Sequence, residues 1–193
     1  MQQRGEETRT RILGASLKLF ANYGFNAASV DNICTDAGIS KGAFYHHFPS
    51  KQAVFLDLLE GWLATIDVGL EAMRKETVPE TLLSMTETLP YIFTSAGEHL
   101  PMFLEFWLQA SRDEEIWQAT IDPYRRYQKY FTRMIEQGMA EGSFKEVDAK
   151  ATAEMIVSFA VGMLLQGLMD RRGKHWEKVA RESVQVILKG LER

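Results

Sequence analysis

Apolar residues recur at three- and four-residue steps from near the N-terminus to the last turn of the chain. No segment sustains the alternation of a half-buried strand, so the pattern predicts an all-α protein. Residues 6–23 make a first amphipathic helix, with Ile12, Leu13, Ser16, Leu19, Phe20 and Tyr23 on one side and Arg9, Arg11 and Lys18 largely elsewhere. Gly24 ends this helix, and Phe25 packs back as an apolar anchor. Val30, Ile33, Cys34 and Ala37 share one face of a second, short helix, N-capped by Ser29 and stopped by Gly38. Ser40 caps a third, in which Phe44 and Phe48 stand one turn apart and Lys41, Gly42, Ala43, Tyr45, His46 and His47 face largely outward. The first helix braces the other two, and a short helix presenting polar groups beyond a tight turn is the layout of a helix-turn-helix whose second helix enters a DNA major groove.

Beyond Phe48-Pro49, Ser50 opens a long helix over about 51–75, with Val54, Leu58, Leu59, Trp62, Ile66 and Leu70 in helical register. Further helices are expected over 80–96, interrupted near Pro90, and over 101–111, which is apolar almost all round. Another spans 114–141, bent at Pro123. Asp148 caps one reaching about 170, and Arg171-Arg172-Gly173 separates it from a last helix over 174–191. These readings divide the chain into a head, 1–50, and a larger helical body, 51–193. No Gly/Ser linker or internal repeat intervenes.

Gly24-Phe25, the run Ala37-Gly38-Ile39-Ser40-Lys41-Gly42, and Phe44-Tyr45-His46-His47-Phe48 followed by Ser50-Lys51 resemble the N-terminal domain of the TetR family. These are one-component bacterial transcriptional regulators, usually repressors. The signatures fall in order within residues 6–60, under a third of the chain. The resemblance implies that Lys41 reaches base edges, that Gly42 permits close backbone approach, and that Tyr45, His47 and Lys51 meet the DNA backbone. Ala43 departs from the hydroxyl or amide side chain often found there; its methyl can touch thymine but cannot hydrogen-bond. Ser29 and Ser40 offer hydroxyls and helix N-terminal amides to phosphate oxygens, and His46 completes the expected DNA-binding set.

The resemblance also implies a ligand pocket in the body and a homodimer through the last two helices. Phe103, Phe106, Trp107, Trp117, Tyr127, Met155, Phe159 and Met163 are the candidate lining for a small, largely apolar effector. An aromatic or methionine stripe at this spacing is more often plain core. Ala151, Ala160, Gly162 and Gly167 would allow close helix approach at the dimer contact, and two-fold symmetry suits a palindromic operator.

A net charge of −4 argues against nucleic acid until its distribution is considered. Residues 1–52 carry Arg4, Arg9, Arg11, Lys18, Lys41 and Lys51 against Glu6, Glu7, Asp31 and Asp36, a net +2 that leaves −6 for the remainder. The single Cys34 excludes an internal disulfide, and no apolar run is long enough for a membrane span, so a soluble, cytoplasmic protein is expected. An enzyme is not expected. A carboxylate-bridged metal pair in a helical bundle needs Glu three residues before an inward His, whereas Ala43, Phe44, Ala96 and Arg172 precede the four histidines at that distance. No phosphate-cradling loop or nucleophile elbow appears, and no cofactor is implied. Activation in place of repression, and a helical interaction protein that does not bind DNA, are the alternatives.

Overall fold

Ser29, Ser40 and Ser50 each precede a helix and accept, through the hydroxyl, from the amide three residues on, and these caps set the reading frame of the N-terminal elements. The computed structural model describes residues 2–88, 101–102, 104–170 and 176–192. The elements are α1 (Gln2–Tyr23), α2 (Val30–Ala37), α3 (Lys41–His47), α4 (Lys51–Ala72) and α5 (Val78–Met85), which runs into a 3-10 turn, Thr86–Thr88. Then come α6 (residues 104–110), α7 (Glu114–Ala140), α8 (Ala149–Met169) and α9 (Trp176–Leu191). Among the described residues the only bridge of β type is an isolated antiparallel one between Phe144 and Glu192.

By packing, the chain separates into two compact units. The first comprises Met1–Thr65 with Ala96–Thr120, the second Ile66–Ser95 with Ile121–Arg193. The division at residue 50 expected from the sequence follows the motif, whereas the packing draws the start of α4, α6 and the start of α7 in with α1–α3. The core of the first unit shows why: Phe20, Ile33, Phe44 and Phe48 are continuous with Val54, Phe55, Met102, Phe106 and Ile116. Its centre is aromatic, with the Phe55 ring 4.6 Å from Phe25, 5.7 Å from Phe20 and 4.5 Å from Phe106.

Two expectations about faces change. Tyr23, placed on the inward side of α1, is 69% exposed; the last turn of α1 runs past the core, which closes at Phe20. The stretch 101–111 is not buried all round, because Met102, Phe106 and Gln109 turn inward while Leu104, Trp107 and Leu108 remain exposed. The helix expected over 80–96 starts earlier, behind a Thr77–Glu80 capping box with Pro79 in its first turn, and its regular part ends at Met85. The expected interruption at Pro90 and the break at 171–173 lie outside the described residues.

In the second unit, α7 carries Pro123 in its third turn and ends at Ala140, two residues before Gly142, whose φ of 82° is open to glycine without strain. The chain then turns back so that Phe144, fully buried, lies on Gly138, its amide donating to the Gly138 carbonyl at 2.9 Å. Lys145 donates to the Leu191 carbonyl at 2.9 Å, which ties this turn to the end of α9. Val78, Leu82, Ile135, Val157 and Leu188 complete the core around it.

A methyl group at Gly138 would overlap the Phe144 ring. Gly138→Ala is therefore expected to lower stability by about 1–3 kcal/mol through overpacking, read by chemical denaturation. Gly61→Ala, where nothing lies within 4 Å of the added carbon, should raise it by up to about 1 kcal/mol through helix propensity. Equal effects of the two substitutions would show that the Phe144 contact is not what fixes glycine at 138.

Candidate nucleic-acid interface

The first helix of the motif, α2, is positioned from its ends. Ser29 Oγ accepts from the Asn32 amide at 3.1 Å and Asn32 Oδ1 from the Ser29 amide at 3.2 Å, a reciprocal capping box on α2. At the other end Gly38 adopts φ 60°, and the Ile39 amide closes on the Cys34 carbonyl at 3.0 Å. Arg11, which reads in the sequence as a solvent-facing charge, instead reaches across from α1. Its Nη2 donates to the carbonyls of Ala37 and, at 2.8 Å, Gly38. A cation at the carbonyl end of a helix is favourable both as a hydrogen-bond donor and against the helix dipole. A side chain at Gly38 would also crowd that guanidinium.

On α3, Ser40 Oγ accepts from the Ala43 amide at 3.2 Å, leaving its hydroxyl proton free to donate outward. Phe44 and Phe48 are buried, and Lys41, Gly42, Tyr45 and His46 form the exposed arc. Ala43 and His47 flank it, half-buried, with the His47 ring close to Gly5 at the start of α1. The structure thus brings Ser40, Lys41, Gly42, Tyr45 and His46 together on one exposed surface, with Ser29 exposed at the start of α2.

The cations of the head are mostly engaged within the unit. Lys41 Nζ lies 2.6 Å from Asp31, both side chains well exposed, and the pairing raises the lysine pKa. Arg9 pairs with Asp57, and Lys18 with Asp36 at 3.4 Å. Lys51 is the most committed. Its ammonium donates to the carbonyls of Phe25 at 2.6 Å and Ala28 at 2.8 Å and sits 4.3 Å from the Phe25 ring centre. Burial pushes its pKa down, against the opposing charge of Glu105. That carboxylate in turn accepts from the Phe25 amide at 2.9 Å and from Gln109 at 2.8 Å. Arg11 and Glu105 are the positioning residues that sequence reasoning missed. Each bonds backbone groups of residues distant in sequence, which leave no pattern in the chain.

The candidate effector residues fall in both units. In the first, Phe106 is buried against Phe55, while Trp107 and Trp117 are 45% and 37% exposed. In the second, Met163 is buried, Phe159 half-buried and Met155 exposed. Tyr127 donates its hydroxyl to Asp67 at 2.8 Å beside the Arg126–Asp67 ion pair, and burial first, then that hydrogen bond, push its pKa up to about 12. Phe103 lies outside the described residues. Gln109 is occupied by Glu105. No group of three or more His, Cys, Asp or Glu among the described residues is arranged to hold a metal ion, and no described helix is long and apolar enough to cross a membrane.

Residues 12–58 match the family model for bacterial regulatory proteins of the tetR family, and residues 85–190 match that for the C-terminal part of BetI-type transcriptional repressors. The HTH-type transcriptional regulator UidR of Escherichia coli K12 is 25% identical over 170 residues, spanning 85% of this chain and 83% of that protein. Among solved structures, a regulator from Saccharomonospora viridis in complex with choline aligns with a TM-score of 0.81 at 22% identity, covering 97% of this chain and 100% of that one. The fatty acid degradation regulator FadR from Bacillus halodurans aligns at 0.81 and 20% identity, covering 96% and 97%. At these identities the structural likeness is one of fold.

Lys51→Met keeps the apolar stem over Phe25 and removes every donor. It is expected to cost about 1–3 kcal/mol in urea unfolding, because the Phe25 and Ala28 carbonyls lose a charged partner. An unchanged midpoint would mean that the ammonium is not what holds this turn.

Proposed function

Since this chain belongs to the TetR family of bacterial transcriptional regulators, we propose that it is a homodimeric repressor that binds a palindromic operator through α3 and leaves it when a small, largely apolar effector binds. The observation that carries the DNA half of this reading is the exposed arc of α3, built over a buried Phe44 and Phe48. Lys41 donates to base edges after exchanging Asp31 for DNA, Gly42 allows close approach, and the methyl of Ala43 contacts thymine. Ser29, Ser40, Tyr45, His46 and His47 face the phosphates, and Lys51 acts at the same surface by fixing the turn behind it.

Repression by dimers is supported by the C-terminal match to BetI-type repressors and by the apolar residues left exposed on α8 and α9: Leu165 and Met169 on the first, Val179 and Val186 on the second. Ala180, Leu188 and Leu191, on the opposite side of α9, are buried in the unit's own core. A second copy covering the exposed side pairs two heads at the half-site spacing of a palindrome. For the effector, each unit offers its own candidate contacts: Trp107 and Trp117 beside the buried Phe106 in the first, and Tyr127, Met155 and Phe159 with the buried Met163 in the second. Release follows from linkage: an effector that favours one spacing of the heads weakens operator affinity by its differential binding, typically about 1–3 kcal/mol.

Operator binding by the purified protein should weaken steeply with salt, log K falling by about 0.9 per phosphate neutralised for each unit of log salt. Lys41→Ala should relax base preference at its contact by about 1–3 kcal/mol, as expected of a base-reading side chain. A flat salt profile, or full sequence selectivity in Lys41→Ala, would overturn the assignment. In sedimentation, Val186→Asp, at a side chain 70% exposed in the single chain, should shift the protein to monomer and lower operator affinity in parallel. Retention of the dimer would remove α9 from the interface.

A further inference from the structure

The second unit contains a cavity of about 230 Å³ where the chain leaving α4 meets α5 and the later turns of α7. Its wall carries Arg74, Lys75 and Arg133, with Tyr130, Thr81 and Gln137 between them, and it includes no carboxylate. Of the acidic residues close by in sequence, Glu76 and Glu136 are not part of the wall, and Glu80, Glu141 and Glu71 are otherwise engaged. Glu80 completes the capping box with Thr77, and Glu141 accepts from the Val78 amide at 2.9 Å and from Ser143 at 2.7 Å. Glu71 reaches only the Nε of Arg74, at 3.8 Å and in an exposed pairing, so the terminal nitrogens of that guanidinium remain available. Thr81 is also engaged, donating to the Thr77 carbonyl and accepting from the Lys75 amide. The Tyr130 hydroxyl is different, being buried with no hydrogen-bond partner among the described residues. A buried hydroxyl left unpaired is costly and marks a place where a further polar partner would be stabilising.

We propose that this cavity binds a small oxyanion carrying two or more negative charges, of the phosphate or polycarboxylate type. Arg74 and Arg133 supply the planar donor pairs that match such a group, Lys75 supplies a point charge, and Tyr130 and Gln137 supply neutral donors. None of the candidate effector residues lines this cavity, so it is a second ligand site with chemistry opposite to that of an apolar effector pocket. Three cations at one cavity also disfavour a quaternary ammonium ligand there. Arg74 and Lys75 follow directly on the end of α4 at Ala72, and Arg133 belongs to α7. An anion shared among them therefore bridges the end of the helix that begins at Lys51 to α7.

The test is calorimetry on the full chain in a zwitterionic buffer without DNA, using sodium phosphate, sodium citrate and choline chloride as probes. Saturable binding of phosphate or citrate at one site per chain is expected, with no binding of choline at this site, and the tighter of the two anions identifies the type of oxyanion. Arg133→Gln, at an exposed position on α7, should weaken the anion about tenfold by removing a charge-assisted pair. Tyr130→Phe should weaken it less, and circular dichroism should show both variants folded. The proposal is overturned if neither anion binds saturably, or if the Arg74→Gln/Arg133→Gln double variant binds as the parent does. Because no operator is present, these outcomes are independent of the DNA-binding reading.

Discussion

The turn between α1 and α2 is the constraint on which the first unit depends. Residues 24–28 make no regular structure, yet Ala28 is buried and Phe25 half-buried, so their backbone groups must find partners other than water. Charged side chains provide them: the Lys51 ammonium takes the carbonyls of Phe25 and Ala28, and the Glu105 carboxylate takes the Phe25 amide. Such bonds are stronger than neutral ones and tolerate little displacement. The Phe25 ring, held against Phe20 and Phe55, fixes the same turn from its apolar side. Since α2 starts at the next residues, its direction, and that of α3 beyond it, is set by α4 and α6 as much as by α1.

In the proposed reading, this arrangement gives the connection between regulation and DNA binding a specific physical form. Lys51 is the first residue of α4, a single helix whose residues belong to both units. A change that shifts α4 or α6 must carry Lys51 or Glu105 with it or break a charged hydrogen bond to the turn. Packed cores and such bonds yield between discrete arrangements and do not deform smoothly, which is what a two-state regulator requires.

The helices were legible from the chain to the extent that their signals were local. Ser29, Ser40, Ser50 and Asp148 read as caps and act as caps, and Gly38 and Gly142 stop helices at positive φ. Period alone could not decide which apolar residues stay exposed. Tyr23 and Trp107 have the spacing of core residues, and only the packing of the finished unit leaves them partly in water. The roles of Arg11 and Glu105 were illegible for another reason. Each serves backbone groups of residues far away in sequence, and a backbone partner imposes no residue type on the chain. Gly138 is similar, since its need for hydrogen in place of a side chain comes from Phe144 folding back onto it.

The basic skew of the head takes on a different meaning once those partners are known. Arg11 and Lys51 are spent on carbonyls, and Arg9 and Lys18 on carboxylates, so they organise the head more than they extend a positive field toward a partner. What α3 offers outward is one lysine held by an exposed aspartate, together with a phenol, an imidazole, a hydroxyl and helix N-terminal amides. The Lys41–Asp31 pair is solvent-exposed and therefore weak, so exchanging the carboxylate for DNA costs little. An interface of that kind is short of fixed charge for its size. In the reading proposed for this protein, tight and selective binding must then come from joining two such heads at one spacing. That makes operator affinity sensitive to anything that changes the spacing.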